Sequence, residues 1–130
     1  MWLSWKRVNE VLRARILADV IAHSPLTEPE LTVLVHLDDA GGSLRQNALA
    51  AAAGWDRTRL SHLLTRMQDR GYLSREKLRN GVEVTVLAPG REVFAATREP
   101  LASAVYRNFT TKLDVEQRAA LRSITDALAD

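Results

Sequence analysis

Leu60, Leu63, Leu64 and Met67 stand at i, i+3, i+4 and i+7, a spacing that forms one continuous apolar stripe only on an α-helix. Asp56 just ahead is a good N-cap, and Gly71 just beyond is the expected left-handed stop. Burying that stripe turns Thr58, Ser61, His62, Thr65, Arg66 and Asp69 to the opposite face, with Arg57 and Arg59 projecting from the first turn. A helix of this kind needs a core on one side and leaves cations and hydroxyls on the other. That requirement constrains everything around it.

The segments on either side supply the core. Trp5, Val8, Leu12, Ile16 and Val20 recur at steps of three or four and predict a long amphipathic helix from Ser4 to about His23, broken by Ser24-Pro25-Leu26. Thr27-Glu28-Pro29-Glu30 predicts a capping box, with Pro29 in the first turn where its missing amide hydrogen is tolerated. The helix it opens carries Leu31, Leu34, Val35 and Leu37, with Val33 as a further apolar position, and stops at Gly41-Gly42. Ser43 is expected to begin a short third helix through Leu44, Ala48, Leu49 and Ala52, ended by Gly54, its alanines leaving room for a close neighbour.

After Gly71 the period changes from 3.6 to 2. Tyr72 to Arg79, Asn80-Gly81 and Val82 to Leu87 predict a two-stranded hairpin around a type I′ Asn-Gly turn, with Val82, Val84 and Val86 on one face. Beyond Pro89-Gly90 a helix is expected to run to about Phe109, kinked or broken at Pro100. Asp114-Val115-Glu116-Gln117 is a second capping box, opening a last helix with Leu121, Ile124 and Leu128 inward. The fold class expected is mainly α with a small β-hairpin. Two short helices joined by a tight turn, the second followed by a hairpin, form a winged helix-turn-helix core.

Charge follows the same division. Residues 43–91 hold 9 basic and 4 acidic side chains, while 1–42 hold 4 and 6 and 92–130 hold 5 and 6. A basic middle between slightly acidic ends points to a polyanion, the bland alternative being a solvated basic face. First-turn residues of such a helix reach base edges in the major groove, where an arginine donates twice to guanine O6 and N7. On this basis Arg57, Thr58, Arg59, Ser61 and His62 are base or phosphate contacts, and Arg66 is placed for the backbone. In the hairpin, Lys77 and Arg79 lie on one face of the first strand. An arginine at a wing tip suits the narrow, negative minor groove of A·T-rich DNA.

The stretch LRQNALAAAAGWDRTRLSHLLTRMQDRGYLSR, residues 44–75, resembles the DNA-binding core of MarR-type transcriptional regulators. The resemblance rests on the small-residue helix and turn, Arg59-Leu60-Ser61, Leu64-Thr65-Arg66-Met67, Arg70-Gly71 and Arg75. It adds Arg45 and Gln46, at the head of that stretch, to the DNA-binding set. It implies one MarR-like domain over 1–130, with a DNA-binding lobe at 26–90 and dimerisation helices at 1–24 and 91–130. It further implies a homodimer on a palindromic operator, and repression often relieved by a small aromatic or anionic ligand bound between the dimerisation helices and the DNA-binding lobe. Two departures stand out. The wing stretch Glu76-Lys77-Leu78-Arg79-Asn80-Gly81 lacks the family's usual Asp, leaving Glu76 or Glu83 to pair with the wing arginine; and Leu87-Ala88-Pro89-Gly90 lacks the usual Thr cap.

A dimer is also argued from the residues themselves. Trp2, Leu3 and Trp5 crowd one end, and Phe109, Leu113, Leu121, Ile124 and Leu128 load the other, an apolar surface that marks an interface unless it folds back on its own chain. The chain has no cysteine, so disulfides, zinc-thiolate sites and thiol switches are excluded, and three scattered histidines lack metal-ligand spacing. His23 and His36 are read as ordinary structural histidines. No nucleophile–base pair, carboxylate dyad or phosphate-binding glycine loop is present, so an enzyme is not expected, and no cofactor is expected either. The N-terminus lacks the order of a signal peptide and no run is long enough to span a membrane, so a cytoplasmic protein is expected. The reading is a sequence-specific, double-stranded DNA-binding regulator, probed against one alternative of another class: a winged-helix protein-interaction module without DNA binding.

Overall fold

The computed structural model describes residues 1–130. They form two compact units, Met1–Ala22 with Glu99–Asp130, and His23–Arg98.

The His23–Arg98 unit contains α2 (Glu28–Asp39), β1 (Ser43–Arg45), α3 (Gln46–Ala53), α4 (Arg57–Asp69), β2 (Leu73–Leu78) and β3 (Gly81–Val86). The capping box on α2 forms as expected: the Thr27 amide donates to Glu30 Oε1 (2.9 Å), and the Glu30 amide donates to Thr27 Oγ1 (3.4 Å). Val33 is fully buried beside Leu34 and Leu37, so α2 is covered on more than one side. Gly54 ends α3 at φ +67°, a left-handed turn that glycine adopts without strain. The core is made by Leu26, Leu49, Leu60, Leu64, Met67, Leu73 and Val84, each at most 2% exposed.

The sheet corrects three expectations. It has three strands in the order β1-β3-β2, all antiparallel, rather than two. Ser43–Arg45 is a strand and not the start of a helix: Ser43 pairs with Thr85, Leu44 with Val84 and Arg45 with Glu83. Helix α3 therefore starts only at Gln46, from an extended Arg45 that offers no side-chain cap. The hairpin turn is also displaced. Leu78 pairs with Gly81, so Arg79 and Asn80 are the turn residues, and neither has positive φ. That excludes type I′, which needs positive φ at both central positions.

The Met1–Ala22 and Glu99–Asp130 unit contains α1 (Trp2–Ile21), the later part of α5 (Ala88–Asn108), a 3-10 turn at Thr110–Lys112 and α6 (Val115–Ala129). Helix α5 runs unbroken through Pro100, where a kink or a break was expected. The second capping box is present: Asp114 Oδ1 accepts from the Gln117 amide (2.8 Å), and Gln117 Oε1 accepts from the Asp114 amide (2.9 Å). Asp19 Oδ2, on α1, accepts from Asn108 Nδ2 (3.1 Å) and Arg107 Nη2 (3.2 Å), on α5. The expected inward packing of α6 does not occur within one chain. No α6 residue is buried, Ile124 is 49% exposed and Leu128 72%. Trp5, Val8 and Leu12 face Phe109, Leu121 and Ile124 across an open apolar cleft of about 540 Å³.

Candidate nucleic-acid interface

Helix α4 builds the candidate surface from its own periodicity. Asp56 Oδ1 accepts from the Arg59 amide (3.0 Å) and fixes the first turn. Leu60, Leu63, Leu64 and Met67 are buried, and that seam fixes the helix rotation. Arg57, Thr58, Arg59, His62 and Arg66 are then exposed, and Ser61 is half-buried. The side chains of Arg57, His62 and Arg66 make no hydrogen bond or ion pair within the chain, so their donors are available to an external acceptor. The Arg59 guanidinium lies over the Trp55 ring, 5.8 Å from its centroid, a contact that holds it at the start of the helix.

Other members of the set stand differently. Arg45 and Gln46 are half-buried where β1 meets α3, and Arg45 Nη1 and Gln46 Oε1 are buried atoms with no hydrogen-bond partner. They are held closer to the chain than the α4 arginines. Lys77 is exposed on β2, opposite Val82. Arg79, expected as the last strand residue, is the first residue of the turn and exposed at the wing tip. No acidic side chain pairs with it. Glu76 and Glu83 instead face each other across the strand pair, and neither supplies the ion pair that would orient the wing arginine.

Two arginines outside the proposed DNA-contact set tie α4 to its surroundings. Arg70 Nη1 donates to Glu30 Oε2 (2.7 Å) at the head of α2, and the Arg70 guanidinium stacks on Tyr72 at 4.8 Å. Arg75, on β2, reaches back to Ser61, Thr65 and Gln68 of α4. The resemblance flagged Arg70 and Arg75 by position; Arg70 also donates to the nearby Tyr72 hydroxyl (3.2 Å), but its carboxylate acceptor lies 40 residues away and the acceptors of Arg75 lie 7 to 14 away.

The three-stranded sheet, the glycine-ended α3, the tight turn at Trp55 and the exposed basic face of α4 together fit one family, and residues 24–81 match its model, described as MarR family. Over that stretch the chain is similar to MarR-family winged helices. No curated protein matches the chain significantly. Among solved structures it is similar to AbsC, a MarR family transcriptional regulator from Streptomyces coelicolor, with TM-score 0.88 and 26% identity over 98% of this chain and 88% of that one. A second MarR family regulator from Streptomyces coelicolor, solved in complex with DNA, matches with TM-score 0.86 and 25% identity over 98% and 82%. Bordetella bronchiseptica BpsR, whose DNA binding is regulated by 6-hydroxynicotinic acid, matches with TM-score 0.78 and 19% identity over 98% and 93%, a likeness of fold. No helix is long and apolar enough to cross a membrane, and no group of three or more His, Asp or Glu is placed to hold a metal ion.

Proposed function

We propose that the protein is a sequence-specific, double-stranded DNA-binding transcriptional regulator. In this reading it is a cytoplasmic homodimer that represses from a palindromic operator and is released by a small aromatic or anionic ligand. The 26–90 lobe contacts DNA, and 1–24 with 91–130 dimerise. The observation that carries the reading is the outward face of α4. With the leucine and methionine seam buried, Arg57, Thr58, Arg59, His62 and Arg66 are exposed in the order that a major groove receives. The DNA complex of the Streptomyces coelicolor relative supports the same use of the fold, and the ligand control of BpsR supports a regulated one.

Arg59 and Arg57 read bases, Thr58, Ser61 and His62 bond bases or phosphates, and Arg66 holds the backbone. Arg45 and Gln46 add contacts at the start of α3, and Lys77 and Arg79 add the wing. Selection of bound duplexes from a random pool gives the operator, and gel-shift titration on it tests the assignment. Arg59→Ala is expected to lose about 1–3 kcal/mol and to relax specificity at one position. Equal binding of every sequence by variant and parent overturns the base-reading role.

The dimer rests on apolar area that one chain leaves bare: Trp2 is 71% exposed, Leu3 78% and Val115 77%. Light scattering is expected to give twice the chain mass at micromolar concentration. A clean monomer there removes this part of the proposal.

A further inference from the structure

Arg75 sits in β2 opposite Val84, on the sheet face that also carries Leu73 and Lys77. Its guanidinium is divided among three acceptors on α4. Nε donates to Gln68 Oε1 (2.9 Å), Nη2 to Thr65 Oγ1 (2.8 Å), and Nη1 to the Ser61 carbonyl (3.4 Å). Residues 61, 65 and 68 follow one edge of the helix at i, i+4 and i+7, so a single side chain spans two turns of α4. Thr65 Oγ1 also donates to the Ser61 carbonyl (3.0 Å), which fixes the hydroxyl that Arg75 meets.

The wing tip has no such tie. The side chains of Lys77 and Arg79 make no hydrogen bond or ion pair, and Glu76 opposes Glu83, like charges that disfavour the pairing at that point. The apolar contacts at the base, Leu73, Val84 and Val86, hold the sheet to the core but carry no directional information. Direction comes from the planar arginine fork, whose donors have fixed relative angles.

We propose that Arg75 is a positioning residue for DNA recognition: it sets the angle of the wing against α4, so that Arg79 and Lys77 meet the same duplex as Arg57 and Arg59. It does from the wing's base what an ion pair at the tip does not do in this chain. The proposal rests on the DNA-reading function above. A wing fixed before encounter needs no ordering on binding, so its contacts count in full.

The test uses the full chain, a duplex selected from a random pool, and two ways to open the latch: Arg75→Met, and Thr65→Val with Gln68→Ala, which keeps Arg75 and removes two of its acceptors. Without DNA, amide hydrogen exchange in 76–83 is expected to accelerate in both, while the buried stretch 60–67 keeps its protection. With DNA, Arg79→Ala is expected to weaken binding about tenfold in the parent, the loss of one charge-assisted hydrogen bond, and less than about twofold once the latch is open. Arg75→Lys, a point charge without the fork, is expected to behave as Arg75→Met. A merely structural Arg75 would instead leave the Arg79→Ala loss tenfold in every background, and that result overturns the proposal. Unchanged wing exchange also overturns it, because the latch then holds nothing. If neither Arg59→Ala nor Arg79→Ala affects the parent's DNA binding while wing exchange still rises, the DNA reading itself fails and the proposal with it, a pattern distinct from the other two.

Discussion

Replacing Arg70 by Met removes a charge from the end of α4 while keeping an aliphatic stem of similar length. Its partner Glu30 is only 5% exposed at the side chain, and each carboxylate oxygen has a separate duty: Oε1 accepts the Thr27 amide in the α2 capping box, and Oε2 accepts Arg70 Nη1 at 2.7 Å. A hydrogen bond between charged groups is worth about 1.5–3 kcal/mol. Arg70 is 45% exposed, so solvent screening puts this pair at the lower end of that range. Its stacking on Tyr72 at 4.8 Å adds about 0.5 kcal/mol. The expected loss is about 2 kcal/mol in all, which urea denaturation should record as a lower midpoint with unchanged slope. Arg70 also lies at a helix C-terminus, where a cation is favourable without any partner. Glu30→Gln separates the two effects, since Gln keeps an oxygen for the Thr27 amide but loses the charge that Arg70 needs. The double variant is then expected to be no less stable than Arg70→Met by more than about 0.5 kcal/mol, giving a coupling energy near 1.5 kcal/mol. Additive losses, or an Arg70→Met midpoint indistinguishable from the parent, would refute the pairing as the link between α2 and α4.

Gly90, in the first turn of α5, has no room for a side chain: an added Cβ would lie 2.2 Å from the Tyr72 carbonyl oxygen and 2.9 Å from Val86 Cγ2. Gly90→Ala is expected to destabilise by about 1–3 kcal/mol, measured by the same urea titration. The Asp19 carboxyl is held below its ordinary 3.8, first by the Asn108 hydrogen bond and then by Arg107. A depressed folded value means that this contribution is complete above about pH 4 and fades as pH falls through the lower folded value. Asp19→Asn should flatten the acid side of the stability–pH curve in that window only, and an NMR titration of Asp19 should give a midpoint below 3.8.

Local signals revealed the elements whose causes are local. The Thr27 and Asp114 boxes, the Asp56 cap and the α4 seam each depend on residues within one or two turns, and each forms. Strand β1 was not legible because nothing within Ser43–Arg45 decides it. Its partner is Thr85, 42 residues on, where the two hydroxyls meet at 2.8 Å. The turn went astray for a related reason: Asn-Gly favours type I′, but pairing of Leu73 with Val86 through Leu78 with Gly81 sets a register in which Arg79 and Asn80 turn instead. In α6, Ile124 and Leu128 have the spacing of a buried face, yet the single chain leaves both exposed. Periodicity identifies a face that needs covering without saying whether the cover is its own chain.

The sheet's part in the candidate site follows from where its strands fall in the chain. Strand β1 leads directly into α3, and β2 follows α4 after Gly71 and Tyr72, so β1 and β2, both paired to β3, grip the helix-turn-helix at its two ends. The angle between recognition helix and wing is therefore set by long-range pairings and by Arg75, which no local pattern contains. The outward set on α4 is independent of those pairings, since it is fixed by the rotation that buries Leu60, Leu63, Leu64 and Met67. Misplacing β1 thus alters the expected surroundings of Arg45 and Gln46, and misplacing the turn alters those of Arg79. The exposure of Arg57, Arg59 and Arg66 is unaffected by either. In the proposed function, base reading by α4 and its coordination with the wing are consequently separable, and substitutions at Arg59 and Arg75 should divide them.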